Sequence, residues 1–275
     1  MTRGGARSAI LAGTWSAVTL MLALSAVAPL IYMVSVAFKP AAEVFSMTLL
    51  PEAPTWDNFV HVFAELDFLR YLLNTLFVAG SVTVTALVFH SMAAFALARL
   101  RFPGRDAIFL AMFATFLVSL PVIIVPLFVM VRWLGLVNSF GGLIIPAIFN
   151  AFGIFLLRQY YLSIPREVEE AAQIDGASYL RLWWSVIVPM SRPLLAALAI
   201  LFFLANWNAF LWPLTITTDQ DKWMVQVAIS TFRGQYAASW NYIMAASVIV
   251  VLPAIILFLA FQGRIMDSIK TGGLK

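Results

Sequence analysis

Glu169 to Pro193 read EEAAQIDGASYLRLWWSVIVPMSRP, a charged, helix-forming stretch with a glycine near its middle, set between runs too apolar for water. Pro165 suits the first turn of a helix, where a missing N–H costs nothing, and Glu167, Glu169 and Glu170 suit the positive end of its macrodipole. Asp175-Gly176 ends that helix, because glycine takes the left-handed conformation of a C-cap. Ser178 then caps a second helix that runs through Ile187 and stops at Pro189. The expected product is a bent helical pair whose apolar side includes Val168, Ala171, Ala172 and Leu182, with Trp183 and Trp184 at a lipid interface. Pattern alone leaves two roles open for it: a connector lying in the interface, or an element that docks a partner.

The flanking runs settle the solvent. Hydrophobic residues make up 63% of the chain, charged residues 11%, and the mean hydropathy is +0.94, far from the mix of a soluble domain. A helix needs about 20 apolar residues to cross the hydrocarbon core. Runs of that order occur from Ser8 to Phe38, Tyr71 to Ala98, Ala107 to Val131, Trp133 to Leu157, Pro193 to Thr218 and Gly234 to Gly263, so six transmembrane helices are expected in an all-α integral membrane fold. Barrel strands are shorter and alternate strictly, which these runs do not. Ala26-Val27-Ala28 imitates a signal cleavage site, but the apolar run is too long for a signal and Pro29 would follow the cut.

Lysine and arginine orient the spans, since loops rich in them stay in the cytoplasm. With the N-terminus inside, twelve of the 17 fall inside, and Lys39, Arg70, Arg132, Lys222 and Arg233 fall outside. Both termini are therefore expected in the cytoplasm. The pI near 9.6 reflects this topology and not nucleic-acid binding. The expected organisation is a tail and first span over 1–38, an external loop over 39–70, and a core of five spans over 71–263 carrying the loop 163–193. A cytoplasmic tail over 264–275 follows.

The order Glu170-Ala171-Ala172, Ile174-Asp175-Gly176-Ala177, Val188-Pro189 and Pro193 resembles the EAA loop of type I ABC importer permeases. The stretches RYLLNTLFVAGS at the second span, AAFALARLRFPGR at its cytoplasmic end and NWNAFLWP in the fifth are similar to the carbohydrate branch of that family, which includes the maltose permeases. The ending DSIKTGGLK departs from the family's usual tail. The resemblance implies the type I permease fold, with a cytoplasmic EAA coupling helix that docks in a cleft of an ATPase. Carried over residue by residue, the coupling set is Glu169, Glu170, Ala171, Ala172, Asp175, Gly176, Ala177 and Pro189. It also implies a bacterial inner-membrane location in contact with lipid. The implied partners are a homologous second permease, two ABC ATPase subunits and an extracytoplasmic solute-binding protein. ATP and magnesium would be held by the ATPase, and the chain has no Gly-Lys dipeptide from which to build a P-loop.

In the fifth span Asn206, Trp207, Asn208 and Trp212 precede Pro213 in an apolar run. Polar side chains at membrane depth face protein or a cavity. Amides beside an aromatic also suit a sugar, so the cluster reads either as helix packing with interfacial tryptophans or as part of a substrate path. His90 reads as an interhelical hydrogen bond, His61 as a surface residue, and Ala94 with Ala98 as a close helix contact. With no cysteine, no acid cluster near either histidine and no nucleophile elbow, nothing suggests a metal site or a catalytic residue. The expected function is import of a sugar or similar neutral, polyhydroxylated solute by alternating access. The alternative is a self-sufficient secondary transporter or channel, which usually keeps ionisable residues at membrane depth.

Overall fold

The computed structural model of the protein describes residues 3–46, 48–65, 67–235 and 239–272, and their regular structure is helical throughout. In order these are α1 (Arg3–Ala37), α2 (Asp57–Glu65), α3 (Phe68–Arg99), α4 (Arg105–Thr115), α5 (Leu120–Trp133), α6 (Phe140–Ile148) and α7 (Ala151–Ser163). There follow α8 (Arg166–Ile174), α9 (Tyr179–Leu182), a π-helical turn (Trp183–Ile187), α10 (Val188–Met190), α11 (Arg192–Trp207), α12 (Leu211–Ile216), α13 (Val225–Gln235) and α14 (Trp240–Gly272). Helix α14 continues past residue 264 to Gly272, so the expected tail begins within it, and residues 273–275 lie outside the described residues.

Among the described residues, four segments are long and apolar enough to cross a bilayer alone: Thr14–Ala37, Phe68–Arg99, Phe140–Ser163 and Trp240–Leu257. The pairs α4 with α5, and Tyr179–Met190 with α11, reach that length only together, bent by 104° and 80°. Counting each bent pair once gives six spans by length and composition.

Three of the predicted runs have different boundaries. Ala107 to Val131 is broken after α4, because Pro121 in the first turn of α5 has no N–H for the carbonyl four residues back and its ring crowds that carbonyl. Trp133 ends α5 and does not begin the next span, which starts at Phe140 after turns in which Gly135 and Asn138 have φ of 70° and 55°. The run from Pro193 to Thr218 splits between Trp207 and Leu211 into α11 and α12.

The chain divides into two compact units, Met1–Phe68 with Ile229–Pro253, and Leu69–Ala228 with Ala254–Lys275. In the first unit, residues 14–32 of α1 are exposed along their whole length. The segment beyond α1 is tied down by polar contacts. Lys39 is fully buried, and its Nζ donates to Ser46 O at 3.1 Å, Ser46 Oγ at 3.1 Å and Thr48 O at 2.6 Å. Asn58 Nδ2 donates to Ala37 O and Lys39 O, both at 2.8 Å, and its Oδ1 accepts from Asn241 Nδ2 at 2.7 Å. His61 is half-buried and stacks on Tyr242 at 4.0 Å, so the surface position expected of it is not what the fold gives.

Two apolar clusters stand out among the described residues of the second unit. One gathers Ala94, Phe95, Leu157, Tyr161, Leu182, Trp183, Ile187, Leu198 and Phe202, among others. The other gathers Val78, Val82, Val131, Leu143, Trp212, Ile216 and Met224. Ala94 and Ala98 are both buried, in keeping with a close helix contact.

Candidate functional site

Helix α8 ends in a Schellman motif. Ala177 N–H donates to Ala172 O and Gly176 N–H to Gln173 O, each at 3.0 Å, with Gly176 at φ 76°. No atom lies within 4 Å of where a Cβ on Gly176 would stand, so backbone conformation and not crowding selects glycine there. Ser178 caps α9, accepting from Arg181 N–H at 3.4 Å. The second helix does not stop at Pro189. Val188 N–H reaches back five residues to Trp183 O, and the resulting π-turn passes into α10, where Pro189 occupies the first turn and needs no N–H. The break falls instead at Ser191, where the chain bends by 80° into α11.

The bent pair turns its residues to two sides. Glu170, Ala171, Gln173, Asp175, Tyr179 and Leu180 are exposed, Ile174 is 86% exposed, and Ala172 and Ala177 are half-buried. The adjacent tryptophans diverge: Trp183 is buried and Trp184 is 63% exposed. Glu169 is the one buried residue of α8, so it is separated from the surface that Glu170 and Ala171 share.

What receives Glu169 is Arg99, the last residue of α3, its Nε 2.7 Å from Glu169 Oε1 with both side chains nearly covered. The same guanidinium donates through Nη2 to Tyr161 O in the last turn of α7 and, at 2.6 Å, to Ile164 O just beyond its end. A cation is favoured there by the negative end of a helix. Burial pushes the Glu169 carboxyl above the ordinary carboxylate range, against the pull of the Arg99 charge. The second half of the pair is held differently. Leu182, Trp183 and Ile187 are buried in the apolar cluster, Trp183 Nε1 donates to Ser91 Oγ at 2.9 Å, and Tyr160 Oη donates to Met190 O at 2.9 Å. Arg99 was legible only as an inside charge; a guanidinium closing an apolar run is the signal that could have marked it.

The fifth-run cluster is only partly assembled. Helix α11 ends where Asn206 Nδ2 and Asn208 Nδ2 turn back to Phe202 O and Leu204 O, at 2.8 and 2.9 Å. Asn206 and Trp212 line a cavity of about 150 Å³ with Ala209, Leu143, Val78 and Met224, and Trp212 Nε1 donates to Gly142 O at 3.0 Å. Trp207 is 2% exposed, stacks on Phe203 and is not among the lining residues. Asn208 is exposed and accepts from Gln226 Nε2 at 3.2 Å, a partner on α13 that the sequence does not signal. His90 Nε2 bonds Ile148 O at 2.8 Å, the interhelical hydrogen bond expected of it. Among the described residues no three His, Cys, Asp or Glu side chains are grouped to hold a metal ion.

Residues 90–271 match the family described as "Binding-protein-dependent transport system inner membrane component". The chain is similar to the arabinooligosaccharides transport system permease protein AraQ of Halalkalibacterium halodurans, at 33% identity over 92% of this chain and 93% of that one. It is 33% identical to the diacetylchitobiose uptake system permease protein NgcG of Streptomyces coelicolor, over 93% and 86% of the two chains. Its fold is similar to a chain in the crystal structure of a bacterial ABC transporter involved in the import of the acidic polysaccharide alginate. The TM-score is 0.83 and the identity 29%, covering 94% of this chain and 97% of that one.

Proposed function

The chain belongs to the family of binding-protein-dependent transport system inner membrane components, and we propose that it imports a neutral, hydroxyl-rich solute of the sugar class, driven by ATPase subunits that dock on the 163–193 loop. It is the permease of an ABC importer and a multi-pass protein of the inner membrane. The finer reading places both termini and the loop in the cytoplasm, as the lysine and arginine distribution favours. The complex would comprise a second, homologous permease, two ATPase subunits that bind ATP and magnesium, and an extracytoplasmic solute-binding protein. Rigid helices rocking about a midplane path would give alternating access.

The observation that carries the docking role is the outer face of the bent pair. Ile174 and Leu180, 86% and 64% exposed, stand beside Glu170 and Tyr179 on a segment whose first helix is strongly polar. Apolar side chains exposed beside charges outside the hydrocarbon mark a protein dock. Glu170, Ala171, Ala172, Asp175, Gly176, Ala177 and Pro189 would form or shape that dock, and Glu169 would hold it from behind. Support for a neutral solute comes from the cavity beside Asn206 and Trp212, whose described lining carries no charged side chain. The names of the oligosaccharide permeases above favour the sugar class.

The test is co-purification of the ATPase with the parent chain and with Glu170→Lys, together with uptake in reconstituted vesicles. Glu170→Lys is expected to insert normally and to lose the ATPase or its coupling. Parental binding and uptake in that variant would return the loop to a connector.

A further inference from the structure

We propose that Arg99 is the positioning residue through which movement of α8 is delivered to the membrane helices α3 and α7. The inference rests on the docking role given to the loop above, and it concerns how the docked loop grips its own chain.

The two halves of the bent pair are fastened by different physics. The half after Gly176 is sunk in the apolar cluster by Leu182, Trp183 and Ile187 and is hydrogen-bonded to α3 and α7 through Trp183 and Met190. The half before it has one buried residue, Glu169, and that residue is a carboxylate facing Arg99. Val168 and Ala172 are half-buried and add modest contact. A push on the exposed side of α8 therefore reaches the bundle chiefly through Glu169 and Arg99. Arg99 stands at the end of α3 and holds Tyr161 O and Ile164 O at the C-terminal end of α7, so one planar guanidinium joins three helices. Its planar guanidinium bonds both carbonyls through Nη2 while its charge faces Glu169, a fixed geometry that a lysine ammonium on a flexible stem reproduces less well. Without this junction α8 can pivot about the Gly176 turn while the second half stays seated. ATP hydrolysis then continues, and the membrane helices do not follow it.

The measurement uses the full complex in proteoliposomes and needs no substrate. The chain has no cysteine, so Ala209→Cys gives it a single thiol, at the cavity beside Asn206 and Trp212. Its rate of reaction with N-ethylmaleimide is compared with and without ATP, beside ATPase co-purification and ATP hydrolysis. In the parent background ATP changes the labelling rate. In Glu169→Gln and in Arg99→Gln that change is expected to fall about tenfold, the size of an ordinary coupling free energy, while the ATPase stays bound and active. Arg99→Lys is expected to lie between. A residue that merely stabilises the fold would instead lose ATPase binding, hydrolysis and labelling response together. Parental ATP responses in both glutamine variants overturn the proposal, as does loss of the ATPase from both. A parent chain that binds no ATPase overturns the docking role itself, and this inference with it.

Discussion

Inside the second unit the indole of Trp183 donates to Ser91 Oγ at 2.9 Å, and Ser91 Oγ lies 2.7 Å from the Tyr161 hydroxyl. Three helical segments, α3, α7 and the π-turn of the loop, thus share one buried polar contact. Buried donors are costly to strand, so this contact fixes the second half of the loop as well as stabilising it.

Trp183 and Trp184 are expected to behave oppositely. Trp183→Ala removes a buried ring and is expected to cost about 3–5 kcal/mol, while Trp183→Phe keeps a smaller aromatic ring and costs less, about 1–3 kcal/mol for the lost hydrogen bond and the volume it leaves. Trp184→Ala, at an exposed site, is expected to leave the unfolding midpoint of the purified permease unchanged. Thermal unfolding followed by intrinsic fluorescence separates the three, and equal losses at both positions would contradict the burial described.

At Gly176 the order of substitutions is set by backbone conformation. With φ at 76° and open space around the missing Cβ, Gly176→Asn is expected to be nearly silent, since asparagine tolerates the left-handed region. Gly176→Ala should cost about 1 kcal/mol, and Gly176→Pro, locked at negative φ, should misdirect α9. ATP hydrolysis and ATPase co-purification are expected to fall in the order Asn, Ala, Pro. Proline at parental activity would sink the docking role.

Breaking the ion pair from one side is expected to be worse than removing it whole. Arg99→Ala leaves Glu169 facing the interior alone and is expected to cost about 3–5 kcal/mol. The double change Arg99→Met with Glu169→Leu should recover most of that stability without restoring the response of the bundle to ATP. Chemical unfolding of both variants, beside the thiol-labelling measurement, checks the two halves of this expectation separately.

In the polar cluster, Asn206→Ala is expected to lower uptake with little loss of stability, because its residue lines the cavity and its amide bonds back within its own helix. Trp207→Ala is a poorer probe of the path, since truncating a buried indole is expected to cost about 3–5 kcal/mol by itself. Asn208→Ala and Gln226→Ala should each have effects that fail to add in the double variant. Uptake kinetics and unfolding midpoints measured together decide it; normal uptake in Asn206→Ala would leave the cluster as packing.

Outside the membrane, the segments 39–70 and 219–235 are proposed to meet the solute-binding protein. Trp56 is 69% exposed, whereas Trp223 is half-buried near the Tyr71 ring, so a photo-crosslinker at position 56 is expected to capture the receptor more readily than one at 223. No crosslink from either position, with and without ATP, would remove these segments from the dock.

The apolar runs, the charge asymmetry and the Asp175-Gly176 bend could be read from the chain itself, because each is set by physics local in sequence. Backbone desolvation fixes the length of a span, and a left-handed φ selects glycine whatever surrounds it. Local rules could not say which of two adjacent residues turns inward. Glu169 and Glu170 look alike in sequence, as do Trp183 and Trp184, and the choice within each pair depends on what the fold brings opposite: Arg99, 70 positions away, and Ser91, 92 away. The breaks in two predicted spans are of mixed origin. Pro121 announces one, whereas the stop at Trp207 depends on asparagine amides that bond their own helix and on a tryptophan, Trp212, anchored to the carbonyl of Gly142. A buried polar group must find its partner wherever the chain supplies one, and only the tertiary structure decides where that is.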